Sequence, residues 1–142
     1  MRLEIPARPD WFGPVRLLLI GLCRRLGFDD RDAGQIALAA DEALCNIHRH
    51  GYEGDEDGRI EITLTVNGEE ERWLEIVMED RGLQVDPKVI RSRPLDEVRP
   101  GGLGVHLIQS VMDASRWDQR EGGGMRLTLM KRIESQREAT GA

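Results

Sequence analysis

Leu3 and Ile5 alternate with polar neighbours, and Pro6, which has no N–H to give to a ladder, predicts a short edge strand that ends there. From about Phe12 to Leu26 the period becomes helical. Val15, Leu18, Leu19, Leu22 and Leu26 form one apolar stripe, with Asp10 or a neighbour as cap and Gly27 as stop. Leu17 and Ile20 fall off that stripe, a surplus that points to a second contact such as a dimer. A second helix over about Arg31 to Arg49 starts at Asp29 or Asp30 and buries Ile36, Ala40, Leu44 and Ile47. Gly51 is its expected left-handed stop.

Ile60, Ile62, Leu64 and Val66 then alternate with Glu61, Thr63 and Thr65, the period of a strand covered on one face. Asn67-Gly68 reverses the chain, with Glu69-Glu70-Glu71 available to lengthen the turn. The next strand, about Arg72 to Glu79, sends Leu74, Ile76 and Met78 to the covered side, and by the same parity Asp80 as well. Residues 83–101 are rich in proline and charge and read as a loop, with one possible helical turn near Pro87 to Ile90. Leu103 to Met112 restores helical spacing. Strands over about Ser115 to Arg120 and Met125 to Arg132 flank Gly122-Gly123-Gly124, and a polar tail follows from residue 134. This order predicts a single α+β domain, a two-layer sandwich whose mixed, mostly antiparallel sheet carries helices on one face.

The bulk numbers narrow the function. With 142 residues, 39% hydrophobic and 32% charged, the chain has the composition of a soluble domain. Its longest apolar run, Leu17 to Cys23, is too short to cross a bilayer, and Glu4 and Pro6 interrupt any secretory signal, so a cytoplasmic protein without a membrane partner is expected. A net charge of −6 argues against a nucleic-acid partner. Lysine occurs only as Lys88 and Lys131, neither after a glycine-rich loop, which excludes a P-loop. Cys23 and Cys45 lack metal-ligand spacing and read as reduced, buried thiols. The acidic run Gly54 to Gly58 lacks the terminal glutamate of a calcium loop.

Three constellations on this scaffold can carry chemistry. Glu42 and Asn46, four residues apart on one helix, share a face at roughly 6 Å and converge on one ligand, with His50 continuing the row. A solvated helix face has the same pattern. Asp80, before Arg81-Gly82, is a buried acceptor in need of a donor, which an adenine amine would supply, while Gly82 lets backbone approach a flat ring. A turn in which Asp80 bonds its own backbone uses the same residues. Gly102-Leu103-Gly104 opens the last helix, where free N–H groups favour phosphate, although a flexible hinge explains the glycines equally well. One magnesium nucleotide accounts for all three at once.

Glu42-Ala43-Leu44-Cys45-Asn46 with His50-Gly51-Tyr52, then Asp80-Arg81-Gly82, then Gly101-Gly102-Leu103-Gly104-Val105 resemble the boxes of the Bergerat-fold, or GHKL superfamily, ATP-binding domains. Over almost the whole chain the resemblance is closer to the stand-alone anti-sigma factor serine kinases of bacterial partner switches. It implies Glu42 as catalytic base, Asn46 as the magnesium ligand and Asp80 as the adenine reader. By the same resemblance Gly82, Gly102, Leu103, Gly104 and Val105 belong to the nucleotide loops, His50 and Arg99 stand near the phosphates, and residues 83–101 form an ATP lid. It further implies ATP and Mg²⁺ as cofactors, a sigma factor and a STAS-type anti-sigma factor antagonist as partners, transcription regulation as the process, and a homodimer. The chain departs from the family pattern at Gln84, where a second glycine is common, and at Met125, where threonine often follows glycine. A non-catalytic ATP-binding regulator that sequesters a sigma factor, and a detached histidine-kinase-like ATPase domain, are the alternatives.

Overall fold

β1 (Arg2–Pro6), α1 (Phe12–Leu26), α2 (Asp30–Asn46), β2 (Arg59–Asn67), β3 (Arg72–Glu79), α3 (Pro87–Arg91), α4 (Gly102–Val111), β4 (Ala114–Gln119) and β5 (Met125–Ile133) follow one another in a computed structural model that describes residues 1–91 and 102–134. The strands form one sheet in the order β1-β2-β3-β5-β4. β3 and β4 run the same way, joined by the helical excursion through α3 and α4. β5 inserts between them as the return arm of a hairpin, so every pairing in the described sheet is antiparallel. The predicted α+β sandwich is present, with no parallel ladder in it.

Register aligns the apolar positions into rows across the sheet. Leu3, Ile62, Met78, Leu127 and Trp117 are successive partners, as are Leu64, Ile76 and Leu129. The helices cover this face alone, and their buried residues join the sheet's in one core. α2 packs between α1 and α4. Its Ala33, Ala37, Ala39, Ala40 and Ala43 are all buried, and small side chains let neighbouring backbones approach closely. Val66, at the far end of β2, is exposed.

Helix ends follow local chemistry in some places and not in others. The Asp29 carboxylate accepts the Asp32 N–H at 2.7 Å and caps α2, and Gly27 stops α1 at φ 105°. Asp10 does not cap α1. The 3-10 turn Pro9–Trp11 leads directly into that helix, and the Asp10 carboxylate is engaged by Arg8 instead. Phe12, Val15, Leu19 and Cys23 form the buried stripe of α1, while Leu18, Leu22 and Leu26 are half-buried, because the contact with α2 and the sheet is centred one residue round the helix.

Gly51 is not the left-handed stop of α2. The helix widens into a π turn over Ile47–Gly51, and the left-handed residues are Glu53 (φ 52°) and Gly54 (φ 82°). Cys23 is buried and its thiol is pushed up to about 11 by desolvation. Cys45 is only half-buried, since it lies on the flank of α2. No helix among the described residues is long and apolar enough to cross a membrane.

Candidate functional site

Strand parity brings Asp80 to the covered face at the end of β3, where it is 2% exposed, the lone buried charged residue among those described. Its Oδ1 accepts two backbone N–H groups, from Gly82 at 2.9 Å and from Met125 at 3.3 Å. The first of these closes the turn through Asp80's own backbone that the sequence allows. Both bonds fall on Oδ1, and the residue lines the adjoining cleft. Burial raises the Asp80 pKa above its ordinary value, opposed by the two N–H donors and by Arg120. The carboxyl group is therefore an acceptor at the edge of the cleft whose charged form is disfavoured by burial.

The cleft, of about 170 Å³, runs from Asp80 to Asn46 and is walled by Ile47, Met78, Ile108, Trp117, Met125 and Leu127. Mostly apolar walls with polar groups at two ends are the pattern of a small-molecule site. Val105 of α4 and His50 also line it. The π turn carries His50 there; the residue is exposed and does not continue the regular α2 row of Glu42 and Asn46 that the sequence predicts.

At the other end, Asn46 Oδ1 is buried without a hydrogen-bond partner. Such an atom costs about 1–3 kcal/mol unless something occupies it. An amide oxygen suits a hard cation, and Mg²⁺ is commonly held by one or two protein oxygens together with substrate phosphates. The residues present thus fit the metal. A Cβ added to Gly104 would stand 2.7 Å from Glu42 Oε2 and 3.6 Å from Asn46 Nδ2, so the first turn of α4 passes directly over the Glu42–Asn46 pair. Gly102 and Leu103 begin the same helix. Arg99, Gly101 and most of the expected lid lie outside the described residues; of the lid, residues 83–91 are described and contain α3.

The structure also reveals participants that the sequence reading left without a role. Tyr52 Oη accepts the Arg81 N–H at 2.8 Å and donates to the Arg59 carbonyl at 2.6 Å. Arg120 Nη1 donates to the Asp80 carbonyl at 2.8 Å. Gln84 Nε2 donates to the Arg120 carbonyl at 2.6 Å, and the Val85 N–H reaches Met125 Sδ at 3.5 Å. Met125 thus contributes a backbone N–H and an apolar wall where the resemblance leads one to look for a threonine hydroxyl. These are contacts between residues up to 45 apart in sequence, and no local pattern encodes them.

The profile of the histidine kinase-like ATPase domain matches residues 5–131. The Serine-protein kinase RsbW of Oceanobacillus iheyensis is 31% identical over 130 residues, covering 86% of this chain and 80% of that protein. The Serine-protein kinase RsbW of Bacillus pumilus is 32% identical over 123 residues, covering 80% and 74%. Among solved structures, a chain of the SiaB–SiaC complex from Pseudomonas aeruginosa superposes with a TM-score of 0.59 at 14% identity, covering 94% of this chain and 89% of that one. The mycobacterial sensor histidine kinase MprB superposes at 0.54 with 15% identity, covering 93% and 97%. At such low identity the two structures speak for the fold alone. A profile that spans the strands, α2 and α4 that build the cleft settles the family, and this chain belongs to the histidine kinase-like ATPase domains.

Proposed function

We propose that this chain is an ATP-dependent serine-protein kinase of a bacterial partner switch: a cytoplasmic, homodimeric anti-sigma factor that phosphorylates its antagonist. The observation that carries the nucleotide reading is one apolar cleft lined at one end by the buried Asp80 carboxyl and at the other by Asn46, whose Oδ1 is buried without a partner. The names of the relatives at about 30% identity support serine as the acceptor.

Asp80 takes the exocyclic amine of adenine, and the walls Met78, Ile108 and Trp117 hold the ring away from water. Asn46 Oδ1 would hold Mg²⁺, and the ion would supply charge neutralisation for the phosphoryl group. Glu42, next to Asn46 on α2 and under Gly104, orients the attacking serine hydroxyl and receives its proton. The N–H groups at the start of α4 face the phosphates. Positioning and charge neutralisation supply most of the rate in such transfers. A sigma factor and a STAS-type antagonist compete for the protein, and nucleotide state selects between them.

The test is to incubate the chain with Mg-ATP and the antagonist from the same genome and to map phosphoserine. Transfer that disappears in Glu42→Ala is the expected outcome. Nucleotide binding with no transfer to any antagonist would leave instead a non-catalytic regulator that sequesters its partner.

A further inference from the structure

We propose that Tyr52 and Arg120 are positioning residues for base recognition, which together clamp the single peptide group between Asp80 and Arg81. The inference rests on the reading of Asp80 as the acceptor of the adenine amine. It adds two side chains that touch neither base nor phosphate.

One side of the peptide is its N–H, on Arg81, which donates to Tyr52 Oη at 2.8 Å. The other is its carbonyl, on Asp80, which accepts from Arg120 Nη1 at 2.8 Å. Both clamping groups are themselves fixed. The Tyr52 hydroxyl donates onward to the Arg59 carbonyl at 2.6 Å. Its ring lies against Gly58, where an added Cβ would stand 2.6 Å from the ring, so the side chain has one place to be. Arg120 is paired through Nε with Glu79 at 3.1 Å, and its own carbonyl accepts the Gln84 amide at 2.6 Å.

A carboxyl group offers two oxygens, and its selectivity depends on which one is committed to the protein. Displacement of the main chain at Asp80–Arg81 would shift the Asp80 Cα, and with it the carboxyl group, away from the Gly82 and Met125 N–H groups that Oδ1 accepts. The clamp resists that displacement by holding the peptide at its N–H and at its carbonyl. A phenol is required at position 52 because the hydroxyl must accept from Arg81 and donate to Arg59 in the same geometry. Phenylalanine fills the space over Gly58 but does neither. Gln84 ties the main chain of Arg120 to the segment that follows the turn.

The experiment compares two nucleotides on the intact chain with Mg²⁺: ATP, and purine riboside triphosphate, which is ATP without the 6-amino group. Dissociation constants are measured by calorimetry for wild type, Tyr52→Phe and Arg120→Met. Wild type prefers ATP. In both variants that preference shrinks by about tenfold, the loss of one well-placed hydrogen bond, and nearly all the change falls on ATP. A purely structural role would weaken both nucleotides equally or lower only the melting temperature, and either result overturns the clamp. Wild type that binds both nucleotides alike would overturn the underlying Asp80 reading, a result distinguishable from failure of the clamp. Should Tyr52→Phe not fold, the Arg120→Met ratio decides from the other side of the peptide.

Discussion

The carbonyl oxygen of Gly51 occupies the place where a side chain on Gly82 would begin, and the same oxygen accepts the Leu83 N–H at 2.8 Å. The end of the π turn after α2 is thereby seated on the turn after β3. The two polar ends of the cleft belong to segments that meet at this contact, so the spacing between Asn46 and Asp80 is fixed by backbone. Gly124 completes the packing: a Cβ there would collide with the Asp80 carbonyl.

Gly82→Ala and Gly104→Ala separate stability from chemistry. At position 82 the new methyl meets backbone, which cannot move aside, and a loss of about 3 kcal/mol in unfolding free energy is expected from chemical denaturation. At position 104 it meets the free end of the Glu42 side chain at 2.7 Å, which can rotate away. That variant keeps within about 1 kcal/mol of wild-type stability and loses phosphoryl transfer at least tenfold through the displaced carboxylate.

Asn46→Ala removes a buried oxygen that has no partner to lose. Unliganded stability is kept or rises, by up to about 1–3 kcal/mol, as the cost of the unpartnered oxygen is relieved. Wild type held at a hundred times its dissociation constant gains ~2.7 kcal/mol from Mg-ATP, and the variant gains much less under the same conditions. Thermal shift with Mg-ATP, and with ATP in a chelator, reads both effects.

Asp80→Asn has a sign that depends on pH. Because burial raises the folded-state pKa above the unfolded value near 3.8, the folded chain keeps a proton that the unfolded chain has already released. This group therefore lowers stability as pH rises from about 3.8 through the folded pKa, and above that window the cost is constant. Asparagine carries no such cost, so the difference in stability between variant and wild type grows in the variant's favour across that window. At neutral pH unliganded Asp80→Asn melts at or above wild type, yet ATP no longer stabilises it, since an amide N–H now faces the adenine amine. Melts of both chains from pH 3 to 8, with and without nucleotide, check each half.

Leu17 is 70% exposed on α1, and a single solvated leucine contributes almost nothing to a monomer. Leu17→Arg leaves the melting temperature of dilute protein unchanged and lowers the dimer fraction in sedimentation equilibrium. A dimer of unaltered affinity would move the proposed homodimer contact elsewhere.

The order of elements was legible because period and punctuation are local. Alternation marked β2 and β3 almost to the residue, Gly27 and Asp29 bounded their helices, and parity alone sent Asp80 to the covered face. The Glu42–Asn46 pair was legible for the same reason, since four residues on a helix fix a shared face. The widening of α2 into a π turn was not. It depends on Gly51 meeting Gly82 and on Tyr52 reaching Arg81, contacts that span about thirty residues.

By itself, then, the sequence determined which side chains point inward and in what order the nucleotide boxes occur, because repulsion of polar groups from a core acts at each residue in turn. Only the tertiary structure decided that Oδ1 of Asp80 is spent on Gly82 and Met125, that Asn46 Oδ1 is buried without a partner, and that Tyr52 and Arg120 hold one peptide between them. Hydrogen bonds are directional and saturable, so the assignment of donors to acceptors emerges only when distant strands and turns are packed together.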